Sequence, residues 1–164
     1  MTDIAKKIQN IKIVLFDFDG VLIHSKEDEL RIDTIVSELQ SFVENLSHLG
    51  IEVGIATGRE DDQIIEKIKT VRNLKVLTST IDKVSLANVI LEKGNFQCGN
   101  LFYMGDELFD LPLLNKCGVS AAPKNARREV KRAVDYVFKS ETTEEILNEL
   151  FNLLKTGREP GNGE

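Results

Sequence analysis

Asp17 and Asp19 stand one residue apart at the end of the apolar stretch IKIVLF, with Gly20 directly behind them. Two carboxylates this close repel each other unless something positive sits between them. A second acidic group, Asp106 and Asp110 in GDELFD, follows another apolar run, NLFYM. Brought together, acids from the two runs make a hard oxygen cage suited to Mg²⁺. Thr57 and Gly58 close a third run, IEVGIA, and offer a hydroxyl and backbone N–H groups to phosphate oxygens. Lys83 lies shortly after a fourth run, LKVLTS, and can offset the remaining negative charge. A carboxylate beside a metal-bound phosphate can act as a nucleophile and form an aspartyl-phosphate.

These residues work together only if strands carry them to one edge. IKIVLF, IEVGIA, LKVLTS, NLFYM and VSAAP are short apolar runs ending at turns and read as buried parallel strands, with YVF as a short last one. Helical periodicity falls between them. SELQSFVENLSHLG opens with Ser37 and Gln40 at capping-box spacing and closes at Gly50. EDDQIIEKIKTV, DKVSLANVILEKG, LFDLPLLNKCG, NARREVKRAV and TTEEILNELFNLLK follow. VLIHS and LRIDTIV flank the polar KEDE and predict a short hairpin after the first strand. The order predicts an α/β fold, one doubly wound parallel sheet with helices on both faces. Chemistry gathers at the carboxyl ends of such strands.

Composition narrows the function classes. The 164 residues are 41% hydrophobic and 29% charged, the balance of one soluble globular domain. The net charge of −6 argues against nucleic-acid binding. No apolar run reaches the roughly 20 residues of a membrane span, and MTDIAKKIQN lacks a signal-peptide core. Cys98 and Cys117 show no paired metal spacing and lie in apolar or turn contexts, so buried thiols rather than a disulfide, in a cytoplasmic protein, are expected. The expected domain covers residues 1–155, with a disordered Gly-rich tail over 156–164. His24, His48 and the basic KNARREVKR read as exposed or solvated positions.

The ordered set DFDGV, ATGR, Lys83 and GDELFD resembles the four motifs of the haloacid dehalogenase superfamily of phosphohydrolases. The resemblance implies that Asp17 attacks phosphorus and that Asp19 protonates the leaving oxygen and then activates water. It implies Mg²⁺ held by the Asp17 carboxylate, the Asp19 backbone carbonyl and Asp106, with Asp110 supporting the metal from behind. Thr57, Gly58 and Lys83 then hold the phosphate. A narrower resemblance, over residues 10–155, is to the capless 3-deoxy-D-manno-octulosonate 8-phosphate phosphatase branch. The 38 positions from Asp19 to Thr57 leave no room for a cap domain. Three departures from that branch stand out. Glu107 follows Asp106 where a second Asp is usual, IVSELQ replaces an Arg-Asp-Gly-like turn, and KSETTEEIL replaces a Gly-rich, Arg-containing loop. The expected activity is a Mg²⁺-dependent phosphomonoesterase acting on a small phosphorylated metabolite such as a sugar-acid phosphate. The alternative is a non-catalytic oligomerisation module of the same fold. A homo-oligomer, a tetramer by resemblance, is expected, with Val21, Leu22, Ile23, Ile32, Ile35 and Val36 of the hairpin against a neighbour.

Overall fold

In the computed structural model, which describes residues 3–159, six parallel strands form one sheet. They are β1 (Ile13–Phe16), β2 (Glu52–Ala56), β3 (Leu74–Leu77), β4 (Leu101–Met104), β5 (Val119–Ala122) and β6 (Tyr136–Val137). Their order is β3-β2-β1-β4-β5-β6. β1 therefore lies between β2 and β4, with Phe16 level with Ile55 on one side and Met104 on the other. The chain winds outward in opposite directions from this pair, so a crevice opens beyond the carboxyl ends of β1 and β4.

All four residues of β1 are buried, as a central parallel strand requires. Their side chains alternate between the two faces. Val14 and Phe16 join one core with α3 (Ile32–His48), α4 (Gln63–Ile68) and α8 (Thr143–Thr156). Ile13 and Leu15 join the other with α5 (Lys83–Gly94), α6 (Leu111–Leu114) and α7 (Arg128–Ala133). Helices thus cover both faces, as expected. Helix starts are fixed by side chains that satisfy free N–H groups. Asp62 accepts from Ile65 N, Asp82 from Ser85 N, and Thr142 and Glu145 form a capping box on α8.

The expected hairpin is absent from this fold. After β1 the chain turns tightly, with Leu22 N and Ile23 N donating to Phe18 O at 2.9 and 3.1 Å. α2 (Lys26–Leu30), capped by Ser25, and α3 follow. The β-branched Ile32, Thr34, Ile35 and Val36 suit a strand locally. Ile32, Ile35, Leu39, Phe42, Val43 and Leu46, however, make one buried helical stripe, and packing decides the matter. Ser37 consequently sits inside α3 rather than capping it, and Gln40 bonds to Glu44 and to Arg72 N. Val21, Leu22, Ile23, Ile32 and Ile35 are buried in the chain's own core, with Val36 packed against it. They are not available to a neighbour.

Two further elements differ from expectation. An amino-terminal helix, α1 (Asp3–Ile8), is tied to the sheet by Lys7 Nζ donating to Asp135 Oδ1 at 2.7 Å. At the other end α8 runs past residue 155, and Arg158 donates to the carbonyls of Leu49 and Ile11. Residues 160–164 of the expected tail lie outside the described residues. Among the described residues no helix is long and apolar enough to cross a membrane.

Candidate active site

Strand ends bring the expected residues to one crevice. Asp17 and Asp19 follow β1, Thr57 and Gly58 follow β2, and Asp106 follows β4; all five line the same cleft. Lys83 lies beneath its floor, at the first position of α5 behind the Asp82 cap. The cap thus aims the lysine. Its Nζ lies 3.0 Å from Asp17 Oδ1 and 3.8 Å from Asp110 Oδ1, and donates to Ala56 O at 2.8 Å. The ion pair is dry: the Lys83 and Asp17 side chains are 1% and 7% exposed.

Asp110 organises the loop after β4. Its Oδ2 accepts from Asp106 N and Glu107 N, both at 3.0 Å, and its Oδ1 accepts from Tyr103 OH at 2.7 Å. Burial and the Asp110 charge raise the Tyr103 phenol well above its usual pKa, so it stays a donor. Gly20 has φ +82, and a Cβ there would lie 1.9 Å from Asp106 Oδ2. Only glycine lets the turn after β1 approach the Asp106 carboxylate.

The acids are held in an unfavourable charge state. Burial, partly offset by Lys83, pushes Asp17 up to about 6. Burial together with the charges of Asp17, Asp110 and Glu107 pushes Asp106 up to about 7. Asp106 Oδ1 is buried without a hydrogen-bond partner. Carboxylate oxygens of Asp17, Asp106 and Asp110 lie within 4.8 Å of one another. An orphaned carboxylate oxygen amid mutually repelling acids fits a hard divalent cation with oxygen ligands. Asp17 and Asp106 have oxygens to offer it, whereas both oxygens of Asp110 already hold protein groups.

Asp19 is placed differently from its neighbours. Its side chain is 50% exposed and faces Arg59, whose Nε and Nη2 donate to Oδ2 and Oδ1 at 3.2 and 2.9 Å. Arg59 Nη2 also donates to Glu29 Oε1 at 2.6 Å, and Nη1 to Asp62 Oδ2 at 3.2 Å. The guanidinium carbon stands 5.5 Å from the centre of the Phe18 ring. Thr57 is buried, and its Oγ1 accepts from Arg59 N at 3.1 Å, leaving the hydroxyl proton to donate.

Sequence reasoning kept Arg59 outside the expected site and did not single out Glu29 or Tyr103. Arg59 belongs to ATGR, so its position beside Thr57 was the available signal. Glu29 gave none, because it depends on α2, where the polar turn of a hairpin was expected. His24 is exposed, with Nδ1 3.1 Å from Asn125 Nδ2, which lies 3.3 Å from Gly20 O.

This geometry can be set beside known proteins. Residues 70–150 match the haloacid dehalogenase-like hydrolase family. That likeness covers just under half of the chain. Two of its relatives are 3-deoxy-D-manno-octulosonate 8-phosphate phosphatases. The one from Haemophilus influenzae is 25% identical over 156 residues, covering 91% of this chain and 85% of the relative. The one from Escherichia coli is 28% identical over 142 residues, covering 82% and 74%. Among solved structures, the Moraxella catarrhalis enzyme, in complex with magnesium, phosphate and KDO, superposes with a TM-score of 0.78 at 21% identity. It covers 96% of this chain and 93% of that one. The cobalt-bound Haemophilus influenzae enzyme gives 0.76 at 21% identity, covering 93% and 91%. At these identities the superpositions speak to the fold, that of a capless haloacid dehalogenase-like enzyme.

Proposed function

We propose that the chain is a Mg²⁺-dependent phosphomonoesterase working through an aspartyl-phosphate on a small phosphorylated metabolite. The observation that carries this is the buried Asp17–Lys83 pair at 3.0 Å, set beside Asp106 with its unpartnered oxygen. A bound Mg²⁺ would be held by Asp17, Asp106 and the Asp19 backbone carbonyl, and would neutralise charge on the acids and the phosphate oxygens.

The chain's own residues divide the rest of the work. Lys83 keeps Asp17 as a carboxylate and fixes its Oδ1. Thr57 O–H and the N–H groups of the turn after β2 receive the phosphate oxygens. In the first half-reaction an Asp17 oxygen bonds to phosphorus, the ester P–O bond breaks, and Asp19, having first taken a proton from solvent, passes it to the departing alcohol. In the second, Asp19 takes a proton from water as that water attacks phosphorus, and the Asp17–phosphorus bond breaks to release phosphate. Asp110 acts through the loop it holds.

Sugar phosphates, sugar-acid phosphates among them, are the substrate class that the relatives support. Cys98 is exposed, on a surface turn rather than buried as expected, and Cys117 is half-buried; both thiols are free, which fits a reducing, cytoplasmic setting. Homo-oligomeric assembly belongs to this reading through the family resemblance alone. A tetramer by light scattering at micromolar concentration supports it, and a fully active monomer removes it. Turnover tests the main reading. Phosphate release from p-nitrophenyl phosphate with Mg²⁺, lost on chelation and restored by Mg²⁺, is expected. Full activity after exhaustive chelation contradicts it.

A further inference from the structure

The mouth of the cleft is short of free positive charge. The cleft measures about 460 Å³, and Arg59 is the cation among its lining residues. All three guanidinium nitrogens donate to carboxylates: to both oxygens of Asp19, to Glu29 and to Asp62. Its five N–H groups are thereby largely committed. Arg127, the nearby cation behind Glu107, donates to that residue's Oε2 at 2.7 Å. Lys83 lies below the floor against Asp17. A carboxylate on the departing half of a substrate would therefore meet Asp19 and Glu107 on the lining, where Arg59, the one cation among the lining residues, is already held by carboxylates. The remaining rim is apolar. Ile81 and Phe109, both lining the cleft, are 66% and 47% exposed. An exposed ring and an aliphatic side chain suit the C–H face of an uncharged sugar.

We infer that the substrates are phosphate monoesters of neutral sugars or polyols, and that Glu29 sets this preference by occupying Arg59 as a built-in carboxylate. The inference rests on the phosphatase reading and narrows it. α2 delivers Glu29 to Arg59 at the edge of the cleft, so the segment where a hairpin was expected becomes a specificity element. Glu29 is a positioning residue here: it acts on substrate choice through Arg59.

A matched pair of probes tests it. D-Glucitol 6-phosphate and 6-phospho-D-gluconate are both open-chain, carry the same phosphate ester and differ only at the far carbon, a neutral hydroxymethyl in one and a carboxylate in the other. The wild-type protein should favour glucitol 6-phosphate in kcat/KM by about tenfold or more, the scale of one unpaired like-charge approach in a partly screened site. Glu29→Gln should narrow that ratio about fivefold, mostly through a lower KM for phosphogluconate, as Arg59 gains a free N–H. A wild-type preference for phosphogluconate, or a ratio unmoved by Glu29→Gln, overturns the inference. Calorimetric binding of both probes to Asp17→Asn, with and without Glu29→Gln, gives the same comparison without turnover. Failure to hydrolyse p-nitrophenyl phosphate would count against the phosphatase reading instead, while the binding ratio would still decide the preference.

Discussion

Asp17 and Lys83 carry the account at the scale of single residues. Lys83→Ala should lower kcat/KM by about 2–4 kcal/mol, the scale of losing one preorganised charge at a reacting centre. Steady-state kinetics checks this, and an unchanged kcat/KM would remove Lys83 from the mechanism. The same pair predicts how the metal-free protein responds to pH. Asp17 and Asp106 have folded-state values raised to about 6 and about 7, against an ordinary value of 3.8. Between pH 4 and 7 the folded state binds more protons than the unfolded one, so stability falls as pH rises through this window. Melting in chelator should show the midpoint dropping from pH 5 to pH 7.5. Added Mg²⁺ should raise the midpoint more at pH 7.5 than at pH 5, because it takes the place of those protons. A metal-free midpoint that rises across the window would contradict the charge arrangement. Of these residues, Asp17, Asp19, Thr57, Lys83 and Asp106 were legible because each follows an apolar run. Tyr103 was not, because its phenol meets Asp110 only once the loop after β4 folds back.

Elements aim these groups, and caps aim the elements. Asp82→Ala removes the acceptor for Ser85 N at the start of α5 and should cost about 1 kcal/mol of stability. Because Lys83 is the next residue, kcat should fall as well. Asn100→Ala, at the amino-terminal end of β4 on the opposite edge of the sheet from Asp17, removes the acceptor for Gln97 N and should cost about the same stability and leave kcat in place. Denaturant titration and kinetics on the two variants separate positioning from stability, and equal kcat values would contradict the role given to the α5 cap. Gly20→Ala should lose activity outright, since its Cβ would meet the Asp106 carboxylate. The strands and most helices were legible from apolar runs and helical spacing. The stretch from Val21 to Val36 was not. Its β-branched residues favour a strand locally, while their burial against the sheet is a property of the whole fold.

For the whole molecule, sheet order explains why residues far apart in sequence form one site. β1 sits between β2 and β4, so the turns after all three strands open into one crevice. That much follows from alternating strands and helices. The contact between Asp19 and Arg59, 40 positions apart, and the arrival of Glu29 beside them do not follow from local patterns. They depend on the path of the chain through α2. Burial of Val21, Leu22, Ile23, Ile32 and Ile35 in the chain's own core also removes the apolar surface on which a hairpin-mediated assembly would rely. The central claim remains that Asp17 becomes phosphorylated during turnover. Its most direct measurement is acid quench of the Mg²⁺-loaded protein during turnover of a radiolabelled phosphate monoester, followed by peptide mapping. The account predicts covalent label on the peptide containing Asp17 in the wild type, and neither label nor turnover in Asp17→Asn. Wild-type phosphate release by Asp17→Asn would contradict it.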